Sequence, residues 1–318
     1  MEITVEKAAQ LLKENDNFLI LTHMSPDGDT LGSAFALCRC LQKLGKSAAV
    51  TTEDNLSKKF SYLSEAVTEC ESKKKYIVAV DIATENLLPE NAHQYKGNVN
   101  LCIDHHPSNT NYAENLCLEP TAAACAEIIF KIIGALGVGI DRLTANCLFT
   151  GITTDTGCFR YSNTTAQTMN TAARLIDLGC DSHKINKMMF ETNSKARIEA
   201  EQLALSTLEY FCGGKIAVML VTLDTLTRSG ATESELDGLS AIPRTIEGVV
   251  VGITIREKGN GLLKISIRSD ETVCSANEVC AQFGGGGHAA AGGCSINNKT
   301  IKQAKEALVS AASASLYL

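Results

Sequence analysis

Tryptophan is absent from the 318 residues, proline occurs five times, and aromatic residues make up only 5%. A track for long single strands needs stacking platforms, and this chain has few to offer. Basic residues are also scarce. There are 29 Lys and Arg against 36 Asp and Glu, a formal charge of −7. That argues against a general polyanion binder, so a phosphate-bearing ligand has to be held by a local device. No run reaches ~18 uninterrupted apolar residues, so no membrane-spanning helix is expected. The opening MEITVEK has no basic stretch leading into an apolar one, so no export signal is expected either. The 13 cysteines are odd in number and scattered, and none forms a Cys-x-x-Cys pair. They read as small buried hydrophobes in a reducing cytoplasm, not as a disulfide framework or a structural zinc site.

What is present suffices for a real core: 45% of residues are hydrophobic and 20% charged, and the length suits two domains. Strand-like apolar runs at 17–22, 75–80 and 98–103 alternate with helix-like stretches at 31–44, 121–136, 142–153 and 167–178. Such alternation predicts an α/β domain over residues 1–192, with a mostly parallel sheet flanked by helices. A charged helical stretch at 193–212 reads as a connector. Residues 213–318 read as a smaller α/β domain, with strands at 215–222, 248–256 and 262–268, the last two joined at Gly259-Asn260-Gly261 as a hairpin, and a closing helix over 301–314.

Three of the predicted strands run into metal-ligating residue types. The first leads to His23, Asp27 and Asp29, the second to Asp81, and the third to Asp104, His105 and His106. In open α/β sheets, sites form beyond the carboxyl ends of strands, so these residues should converge. Asp155 follows a helix able to pack over the same edge. Each residue alone has an ordinary explanation: Asp27 or Asp29 as a turn or N-cap residue, Asp81 as a cap, a single His as structural. The coincidence at three strand ends is what argues otherwise. Carboxylates crowded in one crevice repel by about 4 kcal/mol per pair at ~4 Å and an effective dielectric of ~20. Two divalent cations would balance four of them. Mixed imidazole and carboxylate donors suit manganese, zinc or iron better than calcium, and oxygen-rich sites lean toward manganese or magnesium. Such a pair can activate a bridging water and clamp a phosphoryl group.

The run Phe283-Gly284-Gly285-Gly286-Gly287-His288 lacks the Gly-x-Gly-x-x-Gly spacing of a dinucleotide site. Its glycines read as a backbone nest for an anion, with His288 as an added donor. Arg268, at the end of a predicted strand, offers a two-pronged grip on phosphate.

Taken together, His23-x-x-x-Asp27-x-Asp29, Asp81, Asp104-His105-His106-Pro107 and Asp155 resemble the motifs of the DHH phosphoesterase superfamily, and the glycine-histidine segment resembles its DHHA1 domain. The chain is most similar to the branch with oligoribonuclease and pAp-phosphatase activity. The resemblance implies that His23 and Asp27 hold one manganese ion, that Asp29, His105 and Asp155 hold a second, and that Asp81 bridges them. It implies that His106 contacts the scissile phosphate or protonates the leaving group, with Asp104 orienting a histidine ring. Gly285, Gly286, Gly287, His288 and Arg268 would then bind the substrate's distal phosphate or base.

From position 211 onward there are ten basic and ten acidic residues, and the aromatics are Phe211, Phe283 and Tyr317. A neutral domain of this kind suits a ligand of two to a few nucleotides better than a long strand. A cleft with metals on one wall and an anion site on the other would act as a ruler. The expected activity is hydrolysis of short oligoribonucleotides to mononucleotides, with dephosphorylation of pAp to AMP. A cyclic or linear dinucleotide phosphodiesterase is the nearest rival, and a single-strand DNA exonuclease fits charge and size less well. A catalytically silent nucleotide sensor would lack a metal ligand, and none is missing. The expected partners are substrates; a homodimer is the only protein assembly entertained.

Overall fold

Short apolar runs bounded by Asn, Gly and Pro become strands in this protein, and longer Ala- and Leu-rich stretches become helices. The architecture is that of a computed structural model describing residues 1–52, 57–68, 76–236 and 238–316. Lys75 and Tyr317 therefore lie outside the described residues. The chain divides into two compact units, Met1–Thr192 and Asn193–Leu318.

The first unit runs α1 (Val5–Glu14), β1 (Phe18–Leu21), α2 (Gly28–Lys43), β2 (Ala48–Thr51), β3 (Tyr76–Val80), β4 (Leu101–Asp104), β5 (Asn115–Leu118), α3 (Cys125–Leu136), α4 (Arg142–Asp155), α5 (Ala166–Asp177) and α6 (Ser182–Asn186). Its five strands are all parallel, in the order β2-β1-β3-β4-β5. The order reverses at β1, which opens a crevice beyond the carboxyl ends of β1 and β3. Successive side chains of a strand point to opposite faces. Phe18, Ile20, Val78, Val80, Leu101 and Ile103 enter one core with α1 to α4. Leu19, Leu21, Ile77, Ala79 and Cys102 enter a second, closed by Leu88 and by Ala92 and Tyr95 of the 3-10 turn Glu90–Tyr95. With both faces covered, the strands read in sequence as unbroken apolar runs.

Helices α2 and α4 are held unusually close by glycine. A methyl group on Gly32 would lie 2.3 Å from the Cys147 carbonyl oxygen, and one on Gly151 would lie 2.6 Å from an Asp29 carboxylate oxygen. Only hydrogen fits at either position.

The second unit contains α7 (Lys195–Leu205), β6 (Glu209–Phe211), β7 (Ile216–Val221), α8 (Leu223–Ser229), β8 (Val251–Glu257), β9 (Leu262–Ser269), α9 (Ala276–Ala281), β10 (Gly286–Gly287), β11 (Ala291–Asn297) and α10 (Ile301–Ala314). The sheet order is β10-β11-β9-β8-β7-β6, with β7 and β8 parallel and the other neighbours antiparallel. Helices α9 and α10 cover Ile253, Ile265 and Ile267 on one face. On the other, Ala200 and Ala204 of α7 pack with Met219 and Val221. The stretch read as a connector is therefore an integral layer of this unit: α7 buries small residues against β7, and the chain turns into β6 where a longer helix was expected. Among the described residues the cysteines form no disulfide, and most are buried. No described helix is long and apolar enough to cross a membrane.

Candidate metal centre

The parallel sheet delivers its strand ends to one edge. His23 lies two residues past β1, Asp81 one residue past β3, and Asp104 closes β4. Asp27 and Asp29 open α2, where the Asp27 carboxylate caps the helix by accepting from the Asp29 and Thr30 amides at 2.9 and 3.1 Å. The ordinary reading of Asp27 as a cap and its place in a ligand cluster are thus both met by one side chain. Asp155 ends α4, which the glycines bring against α2.

The six residues expected as ligands come together. His23 Nε2 stands 3.6 Å from Asp27 Oδ1 and 3.8 Å from Asp81 Oδ2. His105 Nε2 stands 3.4 Å from Asp81 Oδ1, 3.5 Å from Asp155 Oδ2 and 4.0 Å from Asp29 Oδ2. The groups His23–Asp27–Asp81 and Asp29–His105–Asp155 each present ligand atoms within 4.8 Å of one another, and the two oxygens of Asp81 face one histidine of each group. Asp81 is 3% exposed, and its Oδ1 is buried without a hydrogen-bond partner. Its nearest positive groups are the imidazoles of His105 and His106, 3.4 and 3.5 Å from Oδ1; a buried carboxylate so incompletely satisfied is costly, and this donor set suits a cation. The backbone of Asp81 holds a left-handed φ of 60°, an uncommon conformation for a residue other than glycine that aims the carboxylate.

Each histidine is oriented from behind. His23 Nδ1 lies 2.8 Å from the Met24 carbonyl, and His105 Nδ1 lies 3.1 Å from the Ala122 carbonyl. Donation there leaves both Nε2 lone pairs facing the carboxylates, as metal-ligating histidines require. His106 differs. Its Nδ1 is committed to Asp104 Oδ1 at 2.8 Å, and the ring is 41% exposed, with no partner for Nε2 among the described residues. Asp104 is fully buried and also accepts from Asn109 Nδ2 at 2.6 Å and from the His105 amide at 2.8 Å. Burial opposes its charge, yet the His106 and Asn109 bonds hold its carboxyl below the usual range. The same bond to Asp104 raises His106.

In the bare protein the cluster holds protons where cations would sit. Burial opposes charge on His23, but Asp27 and Asp81 lift it to about 9. Burial likewise opposes charge on His105, while Asp81, Asp29 and Asp155 lift it to about 10. Burial pushes Asp155 up to about 7 against the pull of His105, and burial with Asp81 and Asp155 raises Asp29 well above the carboxylate range.

Residues not singled out from the sequence complete the frame. The Asp29 carboxylate accepts from the amides of Cys125 and Ala126 at 2.6 and 2.9 Å, at the start of α3, and from Ser33 at 3.1 Å. Asn163 donates to the Ala123 and Asp155 carbonyls at 3.0 and 3.2 Å. The segment 122–126 thereby touches Asp29 and His105 directly and Asp155 through Asn163. Asn109 sits in a Pro-Ser-Asn turn that carries no distinguishing signal in sequence.

In the second unit, the glycine run is a hairpin more than an open nest. The amides of Gly284, Gly285 and His288 donate to the carbonyls of Ala281, Cys280 and Ala291, so they are not available to an anion. Gly286 and Gly287 pair with Gly293 and Gly292. A methyl on Gly285 would lie 2.2 Å from the Gly293 carbonyl oxygen. The glycines are needed for close backbone approach, and His288 is carried exposed at the turn. Arg268 pairs across the sheet with Ala291 and is half-buried.

Comparison with known proteins agrees in extent with this geometry. The sequence matches the family models for the DHH family, N-terminal domain, over residues 17–152 and for the DHHA1 domain over residues 213–317. The bifunctional oligoribonuclease and PAP phosphatase NrnA of Thermus thermophilus is 32% identical over 308 residues, covering 95% of this chain and 91% of that one. The protein of the same name from Bacillus subtilis is 26% identical over 289 residues, covering 88% and 90%. Among solved structures, an exopolyphosphatase-related protein from Bacteroides fragilis superposes with a TM-score of 0.86 at 21% identity, over 98% of this chain and 95% of that one. That likeness speaks for the fold alone.

Proposed function

The chain belongs to the DHH family of phosphoesterases, and on that premise we propose that it hydrolyses short oligoribonucleotides to mononucleotides and dephosphorylates pAp to AMP. The observation that carries this reading is the double ligand cluster sharing Asp81, with its unpartnered buried oxygen; the names of its relatives supply the substrate class. Divalent ions at such a site supply Lewis acidity toward phosphoryl oxygens and a nucleophile at neutral pH. Two manganese ions would suit the donors: His23 and Asp27 would hold one, Asp29, His105 and Asp155 the other, and Asp81 would serve both.

The rest is the work of side chains. The Met24 and Ala122 carbonyls fix the imidazoles of His23 and His105. Asp104 holds a proton on His106 Nδ1 and keeps the ring basic enough to carry one on Nε2 as well. His106 can therefore protonate the departing oxygen as a general acid. Arg268 and His288 of the second unit are assigned to binding substrate phosphate or base, and the close-packed Gly285, Gly286 and Gly287 shape the turn that carries His288.

The test assays pAp, a dinucleotide RNA, a cyclic dinucleotide and a long single strand side by side with Mn²⁺ and with Mg²⁺. Turnover of the first two is expected, and turnover confined to the cyclic dinucleotide or the long strand would replace this reading. Asp81→Asn, which tolerates the left-handed backbone, should lose both activities together. Near-normal turnover in that variant would falsify the shared-ligand account.

A further inference from the structure

The sheet of the second unit carries a polar hollow that the hydrolytic site does not use. On β8 and β9, Thr254 lies opposite Ser266, and Arg256 lies opposite Lys264. Directly opposed residues share a face, and like charges so placed repel. These four side chains, with Ser240, line a hollow of about 190 Å³, bounded on one side by Leu236 and Leu239. Thr254 is 4% exposed with its hydroxyl unpartnered, and Arg256 Nε is also buried without a partner. Beside the hollow, Glu233 accepts from Arg256 at 2.6 Å and also pairs with Lys258. It therefore serves two cations and leaves Lys264 without an ion pair among the described residues.

Buried donors left empty are expensive, while a charged acceptor makes the strongest hydrogen bonds to them. Arginine presents a planar fork suited to oxyanions. At roughly 30 Å³ per water, the hollow has room for about six waters, or for a tetrahedral anion with a water or two. We propose that Thr254, Arg256, Lys264, Ser266 and Ser240 form a binding site for a phosphate group. This assignment is independent of the metal centre and of the residues given to substrate above. The phosphate can come from orthophosphate or from a nucleotide, and the chemistry at the protein is the same.

The full-length protein loaded with Mn²⁺ is titrated calorimetrically with orthophosphate, with AMP and with adenosine. Two classes of phosphate-dependent event are expected, one at the residues already given to catalysis and substrate and one here. Thr254→Val keeps the buried volume, and Lys264→Met changes an exposed side chain, so neither should disturb folding; the melting temperature verifies this. Each should weaken one of the two events by about tenfold or more and leave the other, and Lys264→Arg should restore it. Uptake of AMP but not orthophosphate would support the site with a nucleotide as its source. A hollow holding water only would show itself as variants indistinguishable from wild type, or as adenosine binding equally well. Either result overturns the proposal.

Discussion

Asp81 holds a left-handed backbone, a buried carboxylate and an unpartnered oxygen at once. Each is unfavourable, and together they mark a side chain placed for a ligand that brings positive charge. The surrounding imidazoles show the same demand, because His23 and His105 stand at about 9 and about 10. A metal needs both rings neutral, so binding must expel both protons. Below pH 9, the affinity for Mn²⁺ should rise with pH, because the protons held by His23 and His105, and by Asp29 and Asp155 where these are protonated, must be released. Calorimetric titration in buffers of different ionisation enthalpy measures the proton count directly. Heats that do not depend on the buffer would refute this account of the cluster.

At the scale of elements, the centre depends on how closely α2 and α4 pack. Gly32→Ala would drive its methyl into the Cys147 carbonyl at 2.3 Å. Backbone cannot yield as a side-chain tip can, so α4 must shift, at a cost of about 1–3 kcal/mol. The shift should also move Asp155 from Asp29 and weaken metal binding. Gly134→Ala, on α3 with nothing within 4 Å, should instead stabilise by roughly 0.5–1 kcal/mol. Denaturant titrations of the pair, with opposite signs, check the argument. Other elements show where sequence patterning runs out. The helix expected from position 121 begins at Cys125, because the Ala122 and Ala123 carbonyls serve His105 and Asn163 and the Cys125 and Ala126 amides serve Asp29. Strands β2 and β5, at the sheet edges, are no shorter than β1 and β4, but their AAVT and NLCL stretches lack an unbroken run of large apolar residues and do not stand out.

For the molecule as a whole, each unit has its own buried cores, and the acidic cluster belongs to Met1–Thr192 alone. Chelation should lower the melting transition of that unit and leave that of Asn193–Leu318 in place, as scanning calorimetry can resolve. The drop should grow with pH. Histidines raised from 6.5 in the bare folded state stabilise it fully below about pH 6.5, and that contribution is lost as pH rises through about 9 to 10. The chelated protein thus weakens over the same range in which the metal binds more tightly. A drop that is equal at pH 6.5 and 8.5 would contradict the linkage.

The residue types and their order along the chain were enough to name the α/β fold class and the family and to point to the residues that cluster at the sheet edge, because apolar runs ending in Asp and His are a local pattern. Sequence alone could not decide which oxygen of Asp81 faces which imidazole, that Asp104 serves His106, or that the glycine run spends its amides on the end of α9 and on its own hairpin. These depend on which backbone groups from distant segments are left with unmet hydrogen bonds once the sheet and helices have packed. Such an account can be closed only in three dimensions.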